Sequence, residues 1–243
     1  MIKSGKDYLV FPLDVPTLGE AQVLVRELAP HVGMFKIGLE LFISQGPEVV
    51  RAVKAAGGER IFLDLKLHDI TATVARAMAR VADLGVDLVT VHCASSMAML
   101  EAAARGGQGK TDVLGVTLLT DNDGDIVAQA GFKERYSQNP GELVMLRAGM
   151  ARGAGCAGVV CSGQEAALIK ERFGKDFLAV TPGIRPGWSL SEDDDQKRVV
   201  TPARAIARGS DLLVIGRPIR DADDPAGAAR KVVQEIEAAL AGK

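Results

Sequence analysis

Four charged residues of alternating sign, Lys36, Asp64, Lys66 and Asp69, carry the clearest chemical signal in this 243-residue chain. Three of them fall in the stretch Asp64-Leu65-Lys66-Leu67-His68-Asp69-Ile70, which ends the apolar run Ile61-Phe62-Leu63. Side chains alternate across a strand, so Phe62, Asp64 and Lys66 are expected on one face and Ile61, Leu63 and Leu65 on the other. An acid and an ammonium then neighbour each other on the inward face of an otherwise apolar strand. Burying such charges is costly and is offset only by good pairing geometry. A structural ion pair would satisfy that condition, and so would a reactive site. Asp69 favours the site, because it follows just past the strand end, where parallel-sheet enzymes carry their chemistry.

The elements that must position these charges repeat. Strands are expected at Tyr8 to Asp14, Met34 to Gly38, Ile61 onward, Asp87 to His92, Asp112 to Leu119, Gly158 to Cys161, Phe177 to Thr181 and Asp211 to Gly216. Pro12 suits the first strand only where its missing N–H is not needed by the ladder. Helices are expected after each strand. The first is capped by Thr17 with Glu20 three residues on. Others start near Pro47, Thr71, Met97, Pro140, Gln164, Pro202 and Pro225. Eight strand–helix units of about 30 residues imply a parallel sheet with right-handed crossovers. Their number favours a closed (β/α)8 barrel, taken as one domain over residues 1–243.

A barrel presents its chemistry at the C-terminal strand ends. Asp14 ends the first strand, Lys36 lies on the second, His92 ends the fourth, and Thr120 follows the fifth. Taken singly, Asp14 could cap a helix, Lys36 could be a solvated strand end, and His92 reads best as a satisfied core histidine. Taken together, Lys36, Asp64, Lys66 and Asp69 converge at one end of one barrel. The last two loops suggest a phosphate site: Gly183-Ile184-Arg185-Pro186-Gly187 and then Gln196 in one, Gly216-Arg217 in the other. Glycine lets backbone N–H groups approach an anion, and arginine offers a charge-assisted fork. No Walker-type or dinucleotide glycine pattern is present, so neither a nucleoside triphosphate nor NAD is implied.

Composition excludes other classes. Net charge is −2 without a basic block, which argues against nucleic-acid and membrane-surface binding. No apolar run reaches the ~18 residues of a spanning helix, and the first residues lack a signal peptide's apolar core. Cys93, Cys156 and Cys161 lie in or near apolar runs without metal-ligand spacing. They read as buried, reduced thiols of a cytoplasmic protein.

Several segments together resemble the orotidine 5'-phosphate decarboxylase family over essentially the whole chain. They are Leu13-Asp14-Val15-Pro16, Phe35-Lys36-Ile37-Gly38, Asp64 to Ile70, Thr117 to Thr120, Pro182 to Pro186 and Ile215 to Ile219. Asp-x-Lys-x-x-Asp alone marks a wider superfamily; with the Lys36 strand and the Pro-Gly-Ile-Arg-Pro loop it is specific. Thr71 and Ala72 depart from the family's usual proline and asparagine, while Thr73 is retained. The resemblance implies a barrel that decarboxylates orotidine 5'-monophosphate to UMP without cofactor or metal, in the last step of pyrimidine nucleotide synthesis. Lys66 would protonate C6, and Asp64 would face the substrate carboxylate. Lys36 and Asp69 would complete the charged chain. Asp69 and Thr73 would come from the second subunit of a homodimer. Asp14 and Lys36 would hold the ribose, and Thr120 would lie near the pyrimidine. Arg185, Gln196, Gly216 and Arg217 would bind the phosphate and its closing loop, with Ser189 to Arg198 as the candidate lid. Metal-dependent sugar-phosphate relatives carry a glutamate where this chain has Lys36.

Overall fold

The computed structural model of the chain describes residues 4–189 and 200–242. Among these residues, eight parallel strands close into a barrel in sequence order. They are β1 (Leu9–Pro12), β2 (Met34–Ile37), β3 (Ile61–Leu67), β4 (Leu88–His92), β5 (Asp112–Val116), β6 (Gly158–Val160), β7 (Leu178–Thr181) and β8 (Leu212–Val214). Twelve α-helices lie between and after them among the described residues. The first half of the chain contributes α1 (Leu18–Leu28), α2 (Leu39–Gln45), α3 (Glu48–Ala55), α4 (Thr71–Asp83) and α5 (Met97–Gly106). The second half contributes α6 (Gly124–Gln129), α7 (Glu134–Gln138), α8 (Pro140–Gly153), α9 (Ala166–Phe173), α10 (Pro202–Ala207), α11 (Arg217–Arg220) and α12 (Pro225–Ala241).

Strand alternation divides the core in two. Leu9 and Phe11 point outward into the large cluster that the helices cover, as do Ile61, Leu63, Val89 and Val91. Val10, Met34, Phe62, Leu88, Leu114 and Leu212 point inward and fill the barrel. Helix starts follow their capping residues. Thr17 Oγ1 caps α1 as expected by accepting the Glu20 N–H, but the Glu20 carboxylate accepts the Thr17 hydroxyl rather than its backbone N–H, so the reciprocal box does not form. α4 begins at Thr71 even though the residue is not proline, and the N–H groups of Thr73 and Val74 both bond the Ile70 carbonyl. Pro12 is tolerated because β1 pairs with β8 only through Leu9 and Val10; the side on which its N–H is missing has run out of ladder.

The structure adds elements to the expected eight units. α2 fills the turn after β2 and ends at Gly46, whose φ of 63° suits glycine. The polar stretch from Thr120 to Asn139, whose sequence contains a short helical pattern, forms two short helices, α6 and α7, and one further turn, α11, follows β8. β5 stops at Val116, so Thr117 to Leu119 belong to the loop rather than to the strand. β3 also departs from strict alternation. Its register against β4 shifts between Leu63 and Leu67, where two β4 steps oppose four on β3. Lys66 sits inside that irregularity with φ at 50°, a left-handed conformation that costs a non-glycine residue roughly 1–2 kcal/mol.

Candidate active site

A cavity of about 270 Å³ opens at the C-terminal ends of the strands. One wall carries charge: Asp14 beyond β1, Lys36 on β2, and Asp64 and Lys66 on β3. The rest of the lining includes apolar side chains, among them Phe62, Val116, Leu118, Val160 and Val214. The rim holds Thr120, Gly183, Arg185, Gly216 and Arg217.

The charged wall is cross-linked. Lys66 Nζ donates to both Asp64 oxygens, at 3.1 and 3.0 Å. Lys36 Nζ lies 3.6 Å from Asp64 Oδ2 and donates to Asp14 Oδ1 at 3.2 Å. The chain Asp14–Lys36–Asp64–Lys66 is therefore continuous. The Lys36 and Asp64 side chains are only 12% and 14% exposed, so solvent screens their pairing weakly. Burial alone would raise the Asp64 carboxyl. The Lys36 and Lys66 charges and the hydrogen bonds from Lys66 and Thr90 outweigh it and hold the carboxyl below its ordinary value. Gly38 leaves room for this network, because a Cβ there would lie 3.2 Å from both Asp14 Oδ1 and Lys36 Nζ.

The rim is built differently. Gly183 has φ of 71°, so the loop after β7 turns in a way few side chains permit. Arg185 is 5% exposed and donates to the Ile184 carbonyl at 3.2 Å. Gly216 abuts the first strand; a Cβ there would meet Pro12 Cγ at 2.8 Å. Arg217 opens α11 against the same cavity.

Of the expected site residues, Asp14, Lys36, Asp64, Lys66, Thr120, Arg185, Gly216 and Arg217 meet in this cavity. Asp69 and Thr73 do not line it. The exposed Asp69 carboxylate accepts the Ile70 N–H at 2.6 Å, and Thr73 lies on the first turn of α4. The expected convergence of all four charges thus holds for three of them within one chain, because β3 ends before Asp69 and the backbone turns away. Gln196 and the expected lid from Ser189 to Arg198 lie, apart from Ser189, outside the described residues. His92 is hydrogen-bonded as expected but lies at the edge of the core rather than in it: it is half-buried, its Nδ1 accepts the Ala94 N–H at 3.2 Å, and its ring centroid stands 5.7 Å from that of His68. Burial, with the charges of Arg147, His68 and Lys66, pushes its pKa down to about 4.

Two participants were not singled out from the sequence. Thr90, on β4, is fully buried and hydrogen-bonds to both the Asp64 carboxylate and the Lys66 backbone. Arg220 lines the cavity and donates to the Asp14 carbonyl at 2.9 Å, while the Asp221 carboxylate grips its guanidinium. Only the interior face of β4 could have marked Thr90, and α11 reads as loop in the sequence.

A closed parallel barrel with a braced acid–ammonium wall and an arginine-bearing rim at its C-terminal mouth defines a (β/α)8-barrel enzyme. Its relatives are specific. The family model described as Orotidine 5'-phosphate decarboxylase / HUMPS family matches residues 7–232. A protein of Desulfosudis oleivorans named Orotidine 5'-phosphate decarboxylase is 53% identical over 239 residues, 98% of this chain and 96% of its own length. A protein of the same name from Halorhodospira halophila is 46% identical over 97% of this chain and 98% of its own. The crystal structure of orotidine 5'-phosphate decarboxylase from Lactobacillus acidophilus superposes with a TM-score of 0.78 at 34% identity, covering 94% of this chain and 98% of that one. The chain belongs to the orotidine 5'-phosphate decarboxylase / HUMPS family.

Proposed function

We propose that this protein decarboxylates orotidine 5'-monophosphate to UMP and carbon dioxide, the last step of UMP synthesis, without metal or organic cofactor. The observation that carries the reading is the Lys66 ammonium, held by both oxygens of Asp64 within a cavity rimmed by Arg185 and Arg217. Breaking the C6–carboxylate bond leaves its electron pair in an orbital at C6, orthogonal to the ring π system. A positioned ammonium meets that charge as it develops and then delivers a proton to C6. Lysine suits both tasks, being a compact cation and a donor. Asp64 aims it and faces the departing carboxylate. Asp14 and Lys36 take the ribose hydroxyls, and Thr120 lies by the pyrimidine. Arg185, Gln196, Gly216 and Arg217 take the phosphate, whose binding energy is realised in the transition state. Lys36 Nζ lies 3.2 Å from Asp14 and 3.6 Å from Asp64, where an ammonium opposes a divalent cation. That position favours this reaction over a metal-dependent one on a sugar phosphate.

The decisive experiment is absorbance loss on adding orotidine 5'-monophosphate to EDTA-treated protein; no loss under these conditions removes the assignment. The reading includes a cytoplasmic homodimer, with one domain over residues 1–243, in which Asp69 and Thr73 reach the partner's cavity. Both residues sit outside their own chain's cavity, next to Ile70, which is 71% exposed. Mixing Asp69→Ala and Lys66→Ala proteins under subunit exchange should restore part of the activity through one intact site per heterodimer. Demonstrated exchange without recovery would rule out the shared site.

A further inference from the structure

Lys66 occupies a backbone position that regular strand pairing cannot support. The β3–β4 register is lost between Leu63 and Leu67, and Lys66 lies inside the gap with φ at 50°. Its N–H instead donates to Thr90 Oγ1 at 2.8 Å. Thr90 Oγ1 is also 2.9 Å from Asp64 Oδ1. These two distances fix the direction of every proton involved. A backbone N–H can only donate, so the Thr90 oxygen accepts from Lys66, and its own proton points to the Asp64 carboxylate. Thr90 is fully buried on the interior face of β4, with Leu114 of β5 as its register partner, so no water substitutes for it.

We propose that Thr90 is a positioning residue for the acid–ammonium pair, acting through both of its members at once. One bond stabilises the left-handed turn from which the Lys66 side chain departs. The other fixes the rotation of the Asp64 carboxylate, so that Oδ2 faces Lys66 at 3.0 Å and Lys36 at 3.6 Å. The hydroxyl thus sets the distance between proton donor and carboxylate, although it does not line the cavity. The inference rests on the decarboxylase reading and extends it to a residue outside the reacting shell.

Thr90→Val keeps the branched shape and removes the hydroxyl. It should lower kcat about 100-fold, the cost of a displacement of order 1 Å at a reacting group. KM should change little, because the ribose and phosphate contacts come from other strands. Thr90→Ser keeps both bonds and should recover most of the lost kcat. Serine against alanine repeats the contrast without the methyl group in either variant, which keeps the test available if valine prevents folding. A merely structural role for Thr90 would lower the melting temperature and leave kcat of the folded fraction unchanged. That result, or equal kcat for Ser and Ala, overturns the inference. Wild-type protein without turnover overturns the decarboxylase reading itself, whereas active wild type with an unimpaired Thr90→Val variant overturns only the positioning role.

Discussion

The two ends of the barrel use aspartate in opposite ways. At the N-terminal ends, Asp87 accepts the Ile61 N–H at 2.8 Å and Asp211 accepts the Ala179 N–H at 2.7 Å. Each carboxylate thereby closes the first step of a neighbouring strand, β3 and β7. A lysine, Lys170, backs Asp211 and also bonds the Phe177 and Lys175 carbonyls. At the C-terminal ends, Asp14 and Asp64 accept from ammonium groups and a hydroxyl rather than from strand backbone. Backbone donors are fixed by the fold, so the lower carboxylates serve stability. Side-chain donors can transfer a proton or exchange partners, so the upper ones are free for chemistry. The same residue type is thus bonded in two ways according to which end of a strand carries it.

If this division is right, substitutions at the two ends separate activity from stability. Lys66→Ala should give the largest effect, a loss of kcat of at least about 10³-fold, since both the proton and the counter-charge disappear. Its melting temperature should hold, and its affinity for UMP should persist through the rim arginines. Retention of a tenth of normal turnover would rule out Lys66 as the donor. Arg217→Ala should follow, with kcat/KM lower by on the order of 10², as expected for losing charged hydrogen bonds to a phosphate. An unchanged kcat/KM would leave the phosphate without its assigned partner.

Asp211→Ala probes the other end. It leaves the Ala179 N–H without its acceptor while Lys170 keeps two carbonyls, a loss of about 2 kcal/mol. For a chain of this size that corresponds to a fall of about 4–8 °C in melting temperature. Turnover at 25 °C should stay at the wild-type value. Reduced kcat with an unchanged melting curve would contradict the assignment of this end to stability.

The sequence makes the barrel legible because its strands are apolar runs spaced by helices with clear caps; Thr17, Pro140, Pro202 and Pro225 begin helices in the structure as their types imply. The charged wall is legible for the same reason, since Lys36, Asp64 and Lys66 interrupt runs that otherwise contain no charge. Three features escaped. The irregularity in β3 depends on pairing with β4, and strict alternation cannot express it. Thr90 is an ordinary strand residue until register sets it beside Asp64. Arg220 acts on Asp14 across 206 positions of sequence, from a one-turn helix too short to have a periodic signature. Asp69 and Thr73 differ in kind, because the role implied for them belongs to a second chain.

His92 tests the boundary of the comparison most finely. It stands at the C-terminal end of β4, among the strand ends that carry chemistry, yet its Nδ1 is occupied by the Ala94 N–H, and it does not line the cavity. By its bonding it belongs with the structural carboxylates of the opposite end. Its pKa falls from 6.5 to about 4, first through burial and then through the charges of Arg147, His68 and Lys66. The sign follows from linkage. Between these two values the unfolded chain takes up a proton that the folded one refuses, so the stabilisation is complete above pH 6.5 and is lost as pH falls toward 4. His92→Asn retains an oxygen that can accept the Ala94 N–H but removes the titration. Its urea midpoint should therefore drop less than the wild-type midpoint when pH is lowered from 7 to 4.5, a range chosen to span most of that window. Its kcat at neutral pH should be unchanged. An identical drop in both proteins would mean that the acid sensitivity of the upper rim resides elsewhere, and a lost kcat would move His92 from the structural group to the catalytic one.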